Sequence, residues 1–448
     1  LGVETKGELI LTRKRNLLII LCIIGLSALV FSQCLGTGGS GSSSTTNGQG
    51  DLSSIKDGSD STAGDIIIKA SVAMDPKEFE LFSRMAKQFS ELHEGITIQV
   101  NNIAVFEAYE VWKKAGQMGE APDLMLLDNH WIQEFAALGF LQPVDEFFSS
   151  DQQNGRISTL MNQVKWNGYI WGVPKDVDPY ILAWNKRTAA DNKLEHAPES
   201  GDELLAWNKQ LLNPAEGKFG VYADPADPYA FIAAASSITG AWTGKEKVWA
   251  DQAEAEKRLT AFFAPQEEAW NGKLYPQNFP VSSPSWSPWE QLSLGKIAAM
   301  VTTVSAFKLH MTDNIAIASI PVIPDADQRA VWLKGRSFTV SSRTPHAKIL
   351  MDWIKEMTTP EAGIEYWNAS KVLPAQIPAY NLAPLRGDEH INSFDWLITQ
   401  GRVLPNDSET SKNLQGLHQE LLRLWKGEIT LKQLIELTEA AWHLAGKP

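Results

Sequence analysis

At 448 residues the chain is long enough for two or three domains of roughly 150 residues each. Its 44% hydrophobic and 21% charged residues give a globular composition with ample core. A net charge of -13 argues against nucleic acid as a partner, because phosphate binding needs a basic surface.

Residues 1–34 read as a targeting segment. Lys6, Arg13, Lys14 and Arg15 precede an apolar run from Leu17 to Phe31, 15 residues long, shorter than the roughly 20 a membrane span needs. A basic stretch before a short apolar run is the pattern of a secretory signal. The segment ends Phe31-Ser32-Gln33-Cys34, which resembles a bacterial lipobox, in which the cysteine is lipidated and becomes the mature N-terminus. Phe31 and Gln33 depart from the usual small or aliphatic choices, so a plain signal peptide or an uncleaved anchor stays open. Cys22 lies in the apolar run and Cys34 is the only other cysteine, so the exported part is expected to hold no disulfide. Residues 35–64 are almost all Gly, Ser, Thr, Asn, Asp and Gln, a composition expected to form a flexible tether.

The folded part begins with a buried strand at 65–72. Asp75-Pro76 starts a helix with Phe79, Phe82, Met85, Ala86 and Phe89 on one face, and Ile96–Val100 is the next strand. Strand–helix–strand units of this kind build parallel sheets. A helix at 106–115, a strand at 122–127 and a helix to Leu138 continue the alternation, which predicts an open α/β lobe. Its ligand sites should lie beyond the C-terminal strand ends, at Met74-Asp75 and at Asp128–Trp131. In Trp166–Lys186, WNGYIWGVPKDVDPYILAWNK, two apolar runs flank an acidic, turn-rich loop holding Lys175, Asp176, Asp178 and Pro179. This is either an ordinary hairpin or a crossing between lobes. Further on, helices are predicted at 201–211, 230–238, 249–263, 347–357 and 360–367 and in the C-terminal stretch 413–444. Strands are predicted at 219–222, 295–301, 315–320 and 335–340.

The elements together resemble a family. Pro122-Asp123-Leu124 with Leu138–Asp145 is similar to the "PDV … lGlL.PLD" element of extracellular solute-binding proteins. Tyr169–Pro174 with Trp184-Asn185-Lys186 resembles their "yGvP … YNK" signature, Gly295–Met300 their "GkaAM", and Val372-Leu373-Pro374 a segment ending near "lP". Each motif is weak alone; their shared order, over nearly all of 65–448, makes the match specific. The resemblance is to the carbohydrate-binding proteins of ABC importers, the class of maltose-binding protein. It implies a two-lobe periplasmic-binding-protein-like α/β fold with hinge strands and an interlobe ligand cleft. It places the first lobe at about 65–179 and 325–400, the second at about 180–324 and 401–448, and makes the Trp166–Lys186 stretch the first crossing.

A sugar site needs flat aromatic faces for the apolar faces of the rings and planar polar groups for the hydroxyls. Candidates are Asp75, then Asp128, Asn129, His130 and Trp131 at a strand end, where Asp128 or Asn129 is alternatively a helix cap. Asp176 and Asp178 are turn formers or cleft carboxylates. Tyr229 matches an aromatic position that stacks on sugar in the class, and otherwise packs at a helix start. Thr303, Ser305 and Phe307 follow the GkaAM-like strand, and Trp286 and Trp289 lie in a Ser/Pro/Trp loop. Arg336 is placed to bind ligand or an acidic hinge partner such as Asp178, and Trp367 and Met74 are weaker candidates. His130 has no second His or Cys at ligand spacing, so no metal is expected, nor any cofactor.

The resulting expectation is a monomeric receptor held at the outer face of a bacterial membrane through lipidated Cys34. It captures a carbohydrate, expected to be an oligosaccharide, and delivers it to an ABC permease by hinge closure. Two rivals keep a footing: the same fold binding a charged solute such as a polyamine, and a secreted carbohydrate-active enzyme. No HExxH, GxSxG or P-loop pattern supports the enzyme.

Overall fold

The computed structural model describes residues 66–444 apart from 214–215, 225–226, 241, 243–247, 250, 271–286, 322–331, 394–400 and 405–407. They belong to one compact unit, Ala63–Pro448. The leader, Cys34, the tether and Trp286 lie outside the described residues.

The strands are β1 Ile66–Val72, β2 Ile96–Asn102, β3 Leu124–Asp128, β4 Lys165–Trp166, β5 Tyr169–Ile170, β6 Val173–Asn185, β7 Phe219–Ala223, β8 Ile297–Thr303, β9 Ile315–Ala318, β10 Leu333–Val340 and β11 Leu373–Pro374. β4 and β5 form a small hairpin; the others make a nine-stranded sheet whose main path is β2-β1-β3-β10-β6-β8-β7, with β9 and β11 pairing with β6 off that path. β1 is parallel to β2 and β3, with the helices Pro76–Leu92 and Ala108–Met118 as crossovers. Their inward faces follow the apolar spacing: Phe82, Ala86 and Phe89 on the first helix and Tyr109 and Trp112 on the second are buried.

β6 organises the rest. Residues 173–179 pair antiparallel with β10, and residues 180–184 pair antiparallel with β8, with 182–185 also bonded to β9. One strand therefore passes from one group of strands to another. The acidic loop expected at 175–179 is a correction: these residues lie inside the continuous strand Val173–Asn185. Charge read as loop chemistry is instead neutralised by partners on neighbouring elements, described below. Pro179 sits where β6 changes partner, and the ladder resumes with Tyr180 N–H donating to the Trp332 carbonyl at 2.9 Å. A residue without an N–H is tolerated at such an interruption.

Buried side chains form three clusters. One joins β1, β3, the start of β6 and the helix Ala347–Met357, with Phe82, Trp112, Phe338 and Trp353 at its centre. A second joins Tyr180, Leu182, the helices Gly201–Leu211 and Pro228–Thr239, and Leu414–Ile435 of the C-terminal helices. A third lies along β6 itself, from Val177 to Ala183, with Ile157, Phe307, Trp367 and Leu373. Each fully buried large side chain contributes about 1.5–3 kcal/mol.

Candidate functional site

Where β6 changes neighbours, the C-terminal ends of β1 and β3 meet β10 and the turn after β8. A cavity of about 180 Å³ opens there, lined by Asp75, Asp128, Trp131, Asp178, Ser305, Lys334 and Arg336, with Trp112 and Val105 on its apolar side. Strand ends supply unused backbone and side-chain polar groups, and such crevices are the usual ligand positions in open α/β sheets. Below it Gly335 permits close approach: a Cβ there would stand 2.8 Å from Asn129 Nδ2 and 3.1 Å from the Asp176 carbonyl oxygen.

The floor is a buried ionic quartet. Arg336 Nη2 donates to Asp176 Oδ2 at 2.6 Å and to Glu78 Oε1 at 2.8 Å. Lys175 Nζ donates to the same two carboxylates at 2.6 Å for Glu78 and 2.9 Å for Asp176, and stands 3.9 Å from the centre of the Tyr366 ring. Burial would raise the Asp176 pKa, but Arg336 and Lys175 outweigh it and hold the carboxyl at about 2. Burial likewise works against the Arg336 charge, and Asp176 and Glu78 hold its pKa well above the ordinary value. Two cations and two carboxylates balance, so this group fixes the strand rather than offering free charge to a ligand.

The upper wall differs. Asp178 accepts from the Ser305 N–H at 3.0 Å and from the Ser305 hydroxyl, and burial pushes its pKa up to about 6 against those bonds. Lys334 Nζ lies 3.7 Å from Asp128 Oδ2; Asp128 is the main cause of its raised pKa. Together with Trp131, a partly exposed aromatic, these groups present acceptors, a donor and a flat apolar face to one space. Asp75 completes the rim from the N-cap of the helix Pro76–Leu92, without capping it through its side chain.

The other candidates are placed elsewhere. Asp128 stands at the N-cap of the helix Asn129–Ala137, also without a side-chain cap bond. Asn129 is buried and spent, accepting from Ser337 Oγ at 2.6 Å and donating to Gln163 Oε1 at 3.2 Å. His130 and Tyr229 face each other. Their Nδ1 and hydroxyl are 3.1 Å apart, the rings meet edge-on, and Ser411 Oγ donates to the His130 carbonyl at 3.1 Å. Burial lowers the His130 pKa to about 4, so the ring is neutral near pH 7. The stacking role expected for Tyr229 is corrected: its ring face lies parallel to Tyr180, 5.8 Å away, and little of it is exposed. Phe307 is also corrected, because it is fully buried in the cluster along β6 and edge-on to His390. Thr303 caps the helix Val304–His310 and bonds Ser305. The acidic partners of Arg336 are Asp176 and Glu78, not Asp178. Trp289 stacks on His310. Trp367 is core, and Met74 is buried beside the site.

Sequence reasoning missed Glu78, Lys175, Lys334 and Trp112. Glu78 carried a signal: it falls on the apolar stripe with Phe82 and Phe89, where a charge must find a partner. Trp112 has helical core spacing and gave none. Among the described residues there is no group of metal-ligating side chains and no helix long and apolar enough to cross a membrane.

Two strand groups joined through one long strand, with a polar cavity at the crossover, define the two-lobe solute-binding fold. The chain belongs to the bacterial extracellular solute-binding protein family, whose model matches residues 84–391. A maltodextrin-binding protein of Bacillus subtilis, MdxE, is 22% identical over 342 residues, covering 75% of this chain and 78% of that one. A maltotriose-binding protein of Pyrococcus abyssi is 24% identical over 174 residues, 39% of this chain and only 36% of that protein's length. Among solved structures, the GacH receptor of Streptomyces glaucescens superposes with a TM-score of 0.69 at 17% identity, covering 85% of this chain and 99% of GacH. The sugar-binding protein MalE of Xanthomonas citri gives 0.65 at 19%, covering 85% and 97%.

Proposed function

We propose that this protein is a carbohydrate-binding receptor of an ABC importer. The observation that carries the reading is the cavity at the β6 crossover, where Asp128, Asp178 and Lys334 converge beside Trp131. Hydroxyls of a sugar donate to the two carboxylates and accept from the lysine, and the ring face packs on the indole. The family supports it, as do relatives that carry maltodextrin and maltotriose in their names.

The lobes are taken as 65–179 with 325–400 and 180–324 with 401–448. The change of pairing at Pro179–Tyr180 supports the first boundary. Trp332 packs with the second core cluster and Val340 with the first, which supports a return crossing within β10, just beyond residue 325. Closure about these strands brings the ligand between the lobes, and the closed form is presented to the permease. Cys34 is the lipid attachment point and residues 35–64 the tether, supported by the lipobox-like sequence and the composition.

Titration with mono- and oligosaccharides, followed by tryptophan fluorescence and calorimetry, tests the reading; no binding across a broad panel overturns it. The excess of carboxylates around Lys334 favours one alternative, a cationic solute, whose affinity falls steeply with salt where that of a neutral sugar does not. Incorporation of labelled palmitate into the wild type and not into Cys34→Ala tests the anchor.

A further inference from the structure

We infer that Tyr109 is a positioning residue for the ligand cavity: tied into a closed ring of hydrogen bonds with Lys113 and Glu134, it fixes the Trp131 indole at the cavity wall and so favours ligands with a flat apolar face. This rests on the carbohydrate reading of the cavity and adds to it a residue that does not itself line the cavity.

Trp131 lines the cavity and is partly exposed. Three rings stand against it: Tyr109 with its centre 5.5 Å away, His130 at 5.4 Å and Trp112 at 6.3 Å. Their planes meet the indole at 57°, 69° and 68°, so none of the three is stacked flat on it. Tilted contacts of this kind wedge a ring in place and leave the part that faces the cavity uncovered.

Each of the three rings is itself tied by a polar group. Trp112 Nε1 donates to Ser71 Oγ of β1 at 2.9 Å, and His130 Nδ1 stands 3.1 Å from the Tyr229 hydroxyl. Tyr109 is held from two sides. Its hydroxyl donates to Glu134 Oε2 at 2.9 Å and accepts from Lys113 Nζ at 2.8 Å, and Lys113 Nζ donates to Glu134 Oε1 at 2.8 Å. Helical spacing builds this arrangement. Tyr109 and Lys113 are four apart on the helix Ala108–Met118, and Trp131 and Glu134 are three apart on the helix Asn129–Ala137, so each pair shares a face. The ring that touches Trp131 is thus clamped, one turn further along, to the helix that carries Trp131. Tyr109 and Glu134 are buried, and burial pushes the Tyr109 pKa up to about 12, so the hydroxyl is a neutral donor near pH 7.

A phenylalanine would fill the same space, and the Lys113–Glu134 pair would close without the hydroxyl. What the hydroxyl adds is direction: a fully satisfied polar network holds the ring in one orientation within an otherwise apolar contact. An indole held this way needs no immobilising when a sugar ring packs on it, and the ordering cost avoided appears as affinity. A linear solute without a flat face gains nothing from such a platform, so the clamp favours ring ligands.

The test uses the full chain labelled with 5-fluorotryptophan, in which the Trp131 fluorine resonance is the one lost in Trp131→Phe. The sugar is maltotriose, or the tightest binder of the panel if maltotriose does not bind. Tyr109→Phe keeps the ring and the Lys113–Glu134 pair. It is expected to shift or broaden that resonance and to weaken sugar binding about three- to tenfold by calorimetry. In a Trp131→Leu background the same substitution should change affinity by less than about twofold, because the clamp acts only through the indole. An unmoved resonance, an unchanged affinity, or an equal loss in the two backgrounds overturns the proposal. A lower melting temperature with resonance and affinity as in the wild type does so too, and assigns the triad to the packing of the two helices. A wild type that binds no sugar overturns the carbohydrate reading and the clamp with it, whereas a wild type that binds sugar while the variants fail overturns the clamp alone.

Discussion

The two halves of β6 solve the same problem in opposite ways. Before Pro179 the strand carries Lys175 and Asp176, both almost fully buried, and answers each charge with a partner from another element: Glu78 from a helix and Arg336 from β10. At the crossover itself stand Asp178, whose carboxylate accepts from Ser305 and is also hydrogen-bonded by the Thr303 side chain, and Tyr180, whose hydroxyl donates to Asp227 Oδ2 at 2.7 Å. Before the crossover each charge is matched by an opposite charge. At the crossover a carboxylate is held by hydroxyls and an N–H, with no ion pair among the described residues, at the edge of a cavity. Within one strand, residues in ion pairs hold the frame, and the carboxylate without one is the residue we propose for a ligand.

The sharpest way to break the contrast is Lys175→Met. It leaves Glu78 and Asp176 against Arg336 alone, and removing one member of a buried ionic group costs about 3–5 kcal/mol. Urea denaturation should show that loss, with ligand affinity falling only as far as the floor of the cavity distorts. An unchanged midpoint would mean that the quartet is not what fixes this half of the strand.

The next effect lies in pH. His130 titrates at about 4 in the folded protein against 6.5 ordinarily. Between those values the unfolded chain holds more proton, so acidification destabilises the fold, by up to about 3 kcal/mol. Asp178 titrates at about 6 against 3.8, so there the folded protein holds more proton and acidification stabilises it by a similar amount. In the wild type the two contributions nearly cancel between pH 6 and 4. In Asp178→Asn only the His130 contribution remains, and the stability of the variant relative to the wild type should fall by up to about 3 kcal/mol from pH 7 to pH 4. Parallel pH dependence in the two proteins would rule out the burial of Asp178 as the source.

Much of this was legible in the sequence, and the failures share a cause. Helices at 201–211 and 347–357 follow from spacing and caps within the element: Ser200 accepts from the Glu203 N–H, and Leu350, Trp353, Ile354 and Met357 fall on one face. The α/β alternation and the family motifs gave the architecture. The stretch 175–179 was misread because Lys, Asp, Asp and Pro spell a turn unless their partners are known, and Glu78 and Arg336 lie 97 and 160 residues from the positions they pair with. The same limit applies to Tyr229 and Phe307. Sequence offers an aromatic near a strand end; which way the ring faces is decided by Tyr180, His130 and His390 from distant segments.

A smaller effect bears on the ligand directly. Asp178→Asn keeps shape and removes a charge whose burial is unfavourable, so stability at pH 7 should hold or rise slightly. Binding of whichever sugar saturates the wild type should weaken by about 1–3 kcal/mol, because a carboxylate that accepts from ligand hydroxyls becomes an amide that accepts less. Lost stability with intact binding would make Asp178 a residue of the frame like Asp176.

The smallest expected change concerns how the two sides of the molecule hold together. His130 stands between Asp128 and Trp131 at the cavity, on a helix that packs in the first core cluster and against the helix Ser408–Trp425; Tyr229 belongs to the second cluster. Their hydrogen bond therefore ties the two core clusters together. Tyr229→Phe keeps the stack on Tyr180 and removes only the hydroxyl, worth about 0.5–1.5 kcal/mol. If the bond acts on closure, ligand affinity should fall about two- to tenfold, the radius of gyration without ligand should increase, and the unfolding midpoint should barely move. If instead the midpoint falls and affinity does not, the hydroxyl serves the core and has no part in closure.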